Sequence, residues 1–517
     1  MLALYDTDTN ALQRRSTTLS RTELYGRLLK DFVSREIRKH SPALAHADLQ
    51  RAIDAELLRL SVVAFAMFNR RSQWVPEADL DADFSALLID EEPDVPRSRT
   101  SPAKLTEAQL TIGRFFFVHE SRATHDNRQL RTYEFLHATF GEFLVAHLVV
   151  RVLTDMLASE EPPGGSEPSG ADSSMLHALL SFAALTARTP VVAFVRDLFD
   201  QLDTQQRATI ADLLLRLHIR ALFPYGESAF SRYEPLALTV TARHAAWSAN
   251  LFILAVLAAG EVTGTQLFPN APDPVAAWRA EAMIWRSQLA GYGWEGLHET
   301  IALSRVWDGQ RREIRLRWRS GQVIPEATDI SWVFEISPDP EVRRGISSFF
   351  QSYDSLLMRR KINFACNMSE DIMLHSLGPS ISSFPTTANF FVILDDQRAV
   401  SAIHALLSAF WAPYQESAPT DLTYLDLAQV ARKIAQAPNA EEHYPYLKAA
   451  LNVLISAVEQ GAALSASLQP LAGLINDIKT EDAKLTKLLA RLDTLVSSRA
   501  EVDEAAVDNT VNIQVLA

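Results

Sequence analysis

A chain of 517 residues with 48% hydrophobic and 22% charged side chains has the balance of an ordinary globular protein, which excludes global disorder and, at roughly 100–200 residues per domain, predicts three or four domains. The net charge of −14 argues against a dedicated nucleic-acid binder, since neutralising phosphates takes a surplus of Lys and Arg, and leaves room only for a local basic face. Cys366 stands alone, so neither an intrachain disulfide nor a multi-cysteine zinc site can form, which fits a reducing, cytoplasmic setting.

Met1–Gln13 has no basic n-region and no long apolar core, so no signal peptide is expected. Ser20-Arg21-Thr22-Glu23 is a capping box ahead of Leu24, Leu28, Leu29, Phe32 and Val33 at helical spacing, which predicts a helix to about His40. Ser41-Pro42 offers the N-cap and first-turn proline of another helix, whose pattern runs through Ala52–Phe68 and is lost around Asn69. Val75-Pro76-Glu77 opens a short helix containing Phe84 and Leu87, and Pro93 and Pro96 mark a loop.

The period then changes. Arg114–Glu120 and Arg131–Leu136 are aromatic-rich and β-prone, separated by the polar SRATHDNRQL. Thr139-Phe140-Gly141-Glu142 is a second capping box, starting a helix that runs to about Leu157. Helices, a two-stranded wing and a closing helix predict a winged-helix domain over residues 41–157. Residues 158–174, rich in Pro, Gly, Ser and Glu, read as a solvated linker.

Residues 175–336 predict a helical region with a Trp-rich β-hairpin. Its helical runs are Met175–Phe199, Thr204–Phe223 and Ala245–Ala259; the apolar stretch Leu251–Ala259 is far short of the ~20 residues a membrane span needs, so it is expected to be a buried core helix. The helical runs show no fixed repeat period, so no regular solenoid is expected. Six of the nine tryptophans fall between Asp273 and Ile336 and are expected in core packing. Asp308-Gly309 between two alternating runs signals a hairpin, with Arg315, Arg317 and Arg319 on one face of its second strand and Ile314, Leu316 and Trp318 on the other. The arginine face, with Arg311 and Arg312 nearby, is either a grip for phosphate or an acidic partner, or the solvated side of a hairpin. Residues 337–420 form a mixed α/β segment with β-prone Phe390–Leu394, and residues 421–505 a C-terminal helical segment. The expected fold class is therefore mainly α: a winged-helix domain followed by a helical C-terminal region with a small β-hairpin.

Arg131–Leu148, RTYEFLHATFGEFLVAHL, resembles the signature that closes the nucleotide-binding module of NACHT-class STAND signalling ATPases, loosely F-x-H-x-x-F-x-E-F/Y-x-A-A. Leu19–His40 is similar to the helix that follows the family's GxP module, Met1–Asp6 to the tail of that module, and FFFVHE to its wing. This resemblance covers Met1 to about Leu157, under a third of the chain. AMIWRSQLAGYGWEGL and RVWDG are similar to C-terminal regions of large bacterial NACHT-like proteins. The resemblance implies that residues 1–40 hold the end of a nucleotide-binding module and a connecting helix. It also implies that His137 reaches the β-phosphate of bound ADP in the closed state; read from the residue alone, His137 caps its helix junction. Gly141 departs from the family, where glutamine is common.

A P-loop, G-x-x-x-x-G-K-[ST], needs a Gly-Lys pair, and the chain has none. Leu87–Glu92 and Phe390–Asp396 end in acids as a Walker B strand does, but without a P-loop upstream they read as ordinary element ends. No catalytic residue, no metal site and no cofactor of its own are expected, and no enzyme activity; ATP or ADP with Mg²⁺ belongs to the parent family. The expected partners are a P-loop nucleotide-binding core in cis or trans and a protein or other trigger ligand, with neither nucleic acid nor membrane. The chain is then a truncated product, a fragment or one piece of a split system for bacterial antiviral defence or signal transduction. The rival readings are a winged-helix DNA-binding transcriptional regulator and a helical scaffold for protein–protein interaction. His119, His125 and His137 lack ligand-type spacing, Gly345–Phe349 lacks the second glycine of a nucleophile elbow, Cys366 reads as a buried small residue, and Asp90–Asp94 as a solvated loop.

Overall fold

The first helix, α1 (Arg21–His40), starts where its capping box predicts. Ser20 Oγ accepts from the Glu23 N–H at 3.1 Å and the Glu23 carboxylate accepts from the Ser20 N–H at 3.0 Å, satisfying donors that a helix start leaves open. The computed structural model describes residues 20–88, 118–125, 128–159, 172–223, 229–319, 330–333, 335, 337–339, 341–342, 348–350, 383–384, 386–387, 390–394, 398–414, 420–460, 468–478 and 480–498. It is mainly helical with small antiparallel sheets, and divides into two compact units: Met1–Val306 with Glu313–Pro325, and Trp307–Arg312 with Glu326–Ala517.

In the first unit, α2 (His46–Asn69) begins later than Ser41-Pro42 suggests, with Ala45 at its N-cap. Residues 41–47 are all exposed, so an earlier start would fix backbone without burying anything. The end of α2 is buried on every side from Leu60 to Asn69. Trp74–Pro76 forms a short strand, β1, before α3 (Glu77–Leu87). Strands β2 (Val118–His125) and β3 (Arg128–Phe135) pair antiparallel from Val118↔Phe135 to His125↔Arg128, and β1 adds to the other side of β3, giving the order β1-β3-β2. Residues 121–125 and 128–130 of the polar stretch expected to separate the strands are part of the ladder, because main-chain pairing needs no apolar side chains. Arg114–Phe117 lie outside the described residues.

Helix α4 (Ala138–Ser159) starts one residue before Thr139, so Thr139 lies buried in its first turn and is not the predicted N-cap. Phe135 ends β3, and only Leu136 and His137 separate strand from helix; the His137 carbonyl accepts from the Phe140 N–H at 3.0 Å. Tyr25 of α1 packs on Phe140 and Phe143 of α4 and on Phe194, joining α4 to α6 (Thr189–Asp200). Of the predicted linker, residues 160–171 lie outside the described residues, and Ser174 already begins α5 (Ser174–Leu180).

Helices α7 (Thr204–Ala221) and α8 (Val240–Ala259) follow. Ala245–Ala258 is buried without a break, and although α8 has the length and apolarity of a membrane span, 78% of its most apolar 18-residue window is buried inside the protein. Asn250, in its middle, serves the irregular backbone after α5: its amide donates to the carbonyls of Leu180 and Ala183, both at 2.8 Å, and its oxygen accepts from the Leu185 N–H at 2.7 Å. After β4 (Glu261–Thr263) and the short α9 (Gly264–Leu267), α10 (Pro274–Gln288) stacks Trp278 and Trp285 around Phe252, with Trp285 Nε1 donating to Ser248 Oγ at 2.8 Å. Trp285 is core, as expected, while Trp278 is partly buried.

The motif AGYGWEGL becomes α11 (Gly291–Thr300), which packs on the 3₁₀ turn Leu185–Ala187 so closely that a β-carbon at Gly296 would stand 1.9 Å from the Thr186 carbonyl oxygen. The predicted hairpin is β5 (Ile301–Asp308) and β6 (Arg311–Trp318), turning at Gly309 with φ 59°; Ile314 and Leu316 are buried, and β4 joins β6 in the order β4-β6-β5.

In the second unit, α12 (Ile330–Val333) and the sheet β7 (Ser348–Phe350), β8 (Phe390–Ile393), β9 (Ala399–Ser401) accompany a helical core. That core comprises α13 (Ala402–Trp411), α14 (Thr420–Ala435), α15 (Tyr444–Glu459), α16 (Leu468–Asp477) and the helix over 483–498, with Leu427, Leu451, Leu454, Leu471, Leu485 and Leu492 at its centre. Arg312 is buried in this unit, its guanidinium over Trp332 at 5.3 Å and ion-paired with Glu335.

Candidate functional site

His137 lies exposed at the N-terminus of α4, where the last strand of the first sheet turns into a 22-residue helix. Main-chain donors and the helix dipole make such a position favourable for anions. Its side chain is exposed, while its carbonyl serves the helix turn by accepting from the Phe140 N–H. One turn into α4, Glu142 is half-buried; burial raises its carboxyl above the usual range, and Arg188, Arg21 and His137 oppose that rise. Arg188 stands 4.0 Å from Glu142, at the N-cap of α6. Three cationic or titratable groups thus surround one carboxylate.

Gly141 is explained by packing. A β-carbon there would meet the Phe135 ring at 3.0 Å, so glycine lets that ring lie across the first turn of α4. A cleft of about 70 Å³ opens beside this turn, lined by Phe68, Gln73, Phe135, Gly141, Glu142 and Arg188 among others.

The arginine face of the hairpin is placed differently. Strand β4 pairs with β6 so that Glu261 opposes Arg317 and Thr263 opposes Arg315. Glu261 accepts an ion pair from Arg317 at 2.9 Å and stands 4.0 Å from Arg315, so one carboxylate neutralises part of the face. Arg319 folds back along the hairpin and donates to the Ile301 carbonyl at 3.0 Å. Arg315 and Arg317 are about half exposed, with side chains 50% and 54% accessible.

Among the described residues no group of three His, Cys, Asp or Glu is placed to hold a metal ion. Gly345–Phe349, except for the strand residues Ser348 and Phe349, lie outside the described residues, as do Asp90–Asp94 and Cys366. Leu87 closes α3, and Phe390–Ile393 is strand β8. Sequence reasoning found His137, read Glu142 only as part of a capping box, and missed Arg188, which faces Glu142. Arg188-Thr189-Pro190 does carry the proline signal of a helix start, but nothing local says which helix it faces. The chain matches no family model, no curated protein and no solved structure.

Proposed function

We propose that this chain is the regulatory and sensor part of a NACHT-type STAND signalling ATPase in bacterial defence or signalling, silent in catalysis by itself and completed by a P-loop core in cis or in trans. The observation that carries the reading is the junction at His137: the central strand of the β1-β3-β2 sheet leads into a long helix and leaves an imidazole exposed at its anion-favouring end. In support of the winged-helix module that this reading assumes, α2, β1, α3, the β2–β3 hairpin and α4 follow one another along the chain. Nucleotide and Mg²⁺ would sit on the P-loop core. This chain contributes one donor to the phosphate, His137, with Arg188 and Arg21 supplying a positive surrounding. The switch is conformational: the module docks on the nucleotide-bound core, and a trigger recognised elsewhere releases it.

Co-expression with a P-loop core encoded beside this chain tests the reading. The complex is expected to retain ADP, His137→Ala to lower that retention, and the chain alone to turn over no ATP. Equal retention by His137→Ala, or ATP turnover by the chain alone that survives controls for contaminating ATPases, refutes it. Salt-sensitive binding to duplex DNA would favour a transcriptional regulator instead.

A further inference from the structure

Helix α2 ends in a Schellman turn. The Arg71 N–H donates to the Phe68 carbonyl and the Ser72 N–H to the Met67 carbonyl, both at 3.0 Å, and Arg71 occupies the left-handed position between them with φ 56°. Glycine adopts that backbone freely, whereas a β-carbon there crowds the following carbonyl. A long, charged side chain held in strained backbone is a pattern found where the side chain itself is needed.

The Arg71 side chain lines a cavity of about 460 Å³ in the first unit, within the range of roughly 300–1,000 Å³ that small-molecule sites occupy. Among the described residues its guanidinium has one side-chain hydrogen bond, a long one of 3.4 Å to the Phe182 carbonyl, which leaves donors for a further acceptor. Arg188 lines the same cavity, and so do Thr189 and Pro190 from the N-terminus of α6. Against these two arginines stands a single carboxylate, Glu142, so the lining carries a surplus of positive charge. The rest is mostly apolar and small: Ala183, Ala184, Ala187, Ala242, Ala246 and Leu289. Tyr292, 79% exposed, stands at the edge.

We infer that this cavity binds a small organic anion, its carboxylate or phosphate held by Arg71 and Arg188 and its apolar body lying against the alanine wall. Guanidinium groups suit planar or tetrahedral oxyanions through paired N–H donors, and short alanine side chains leave room for the body. This inference does not rest on the signalling reading of His137.

The test is calorimetric titration of the full chain with octanoate, octyl phosphate, octanol and inorganic phosphate, repeated on Arg71→Gly. Glycine keeps the Schellman turn and relieves its strain, so the variant is expected to melt at the same temperature as the parent or higher. One or both anionic amphiphiles are expected to bind at one site, with octanol and inorganic phosphate weaker by about tenfold or more; which amphiphile binds names the head group. Arg71→Gly should weaken that binding by about tenfold or more. Octanol binding as tightly as the anions, unchanged binding by Arg71→Gly, or no binding by any probe overturns the inference.

Discussion

Replacing Gly296 by alanine puts a methyl group where the structure has no room. The new carbon would stand 1.9 Å from the Thr186 carbonyl oxygen and 2.8 Å from its carbon. A relaxed C···O contact is about 3.3–3.6 Å, so α11 must withdraw from the Leu185–Ala187 turn by roughly 1.5 Å. That withdrawal strains the buried hydrogen bond from Thr186 Oγ1 to the Gly293 carbonyl, 2.7 Å long. Overpacking costs about 1–3 kcal/mol and a buried unsatisfied pair about 1–3 kcal/mol, against a gain of about 1 kcal/mol for alanine over glycine within a helix. The expected net loss is about 3 kcal/mol. Gly291, at the start of the same helix with nothing within 4 Å of its β-carbon position, is the control; alanine there should be neutral or stabilising by a few tenths to about 1 kcal/mol. Urea unfolding followed by tryptophan fluorescence, which reports on the Trp278–Trp285 cluster of the same unit, measures both variants. Equal stability of Gly296→Ala and Gly291→Ala would refute the close-packing account of the AGYGWEGL motif.

Two further predictions concern the buried polar groups of α7 and α8. Asn250→Ala removes three hydrogen bonds to the backbone of residues 180–185 and leaves those groups buried, so a loss of roughly 3 kcal/mol is expected in the same unfolding assay. His218 is fully buried on α7, and burial, offset in part by the Ser248 backbone and reinforced by His244, lowers its pKa to about 4. The unfolded chain takes up that proton near pH 6.5 while the folded one resists it, so this contribution is complete above about pH 6.5 and is lost as pH falls toward 4. Urea midpoints measured across that range should fall with pH, and His218→Leu should flatten the slope; an unchanged slope would remove His218 as its source.

Local chemistry made much of the architecture legible. The Ser20–Glu23 box, the unbroken apolar run of α8 and the Asp308-Gly309 turn between alternating strands each carry their instruction within a few neighbouring residues, and each is found where expected. Two local signals were overruled. Ser41-Pro42 lost its helix start because nothing in residues 41–47 reaches a core, and Thr139 lost its N-cap role because β3 delivers the chain to the helix two residues sooner. Trp74–Pro76 is too short to read as a strand and exists because β3 pairs with it.

His137 itself was visible as a motif, and so was the helix it introduces. Its setting was not: Glu142 meets Arg188 only because α4 packs on α6, Glu261 reaches Arg317 only because β4 joins β6, and Gly296 is required only because the Thr186 carbonyl arrives there from a distant segment. The sequence by itself determined which stretches are helices, where most begin, and which faces are apolar, because hydrogen-bonded turns and burial periodicity are properties of neighbours. Which charges meet and which glycines must stay bare were decided by tertiary structure, since those depend on atoms brought together from residues far apart in the chain.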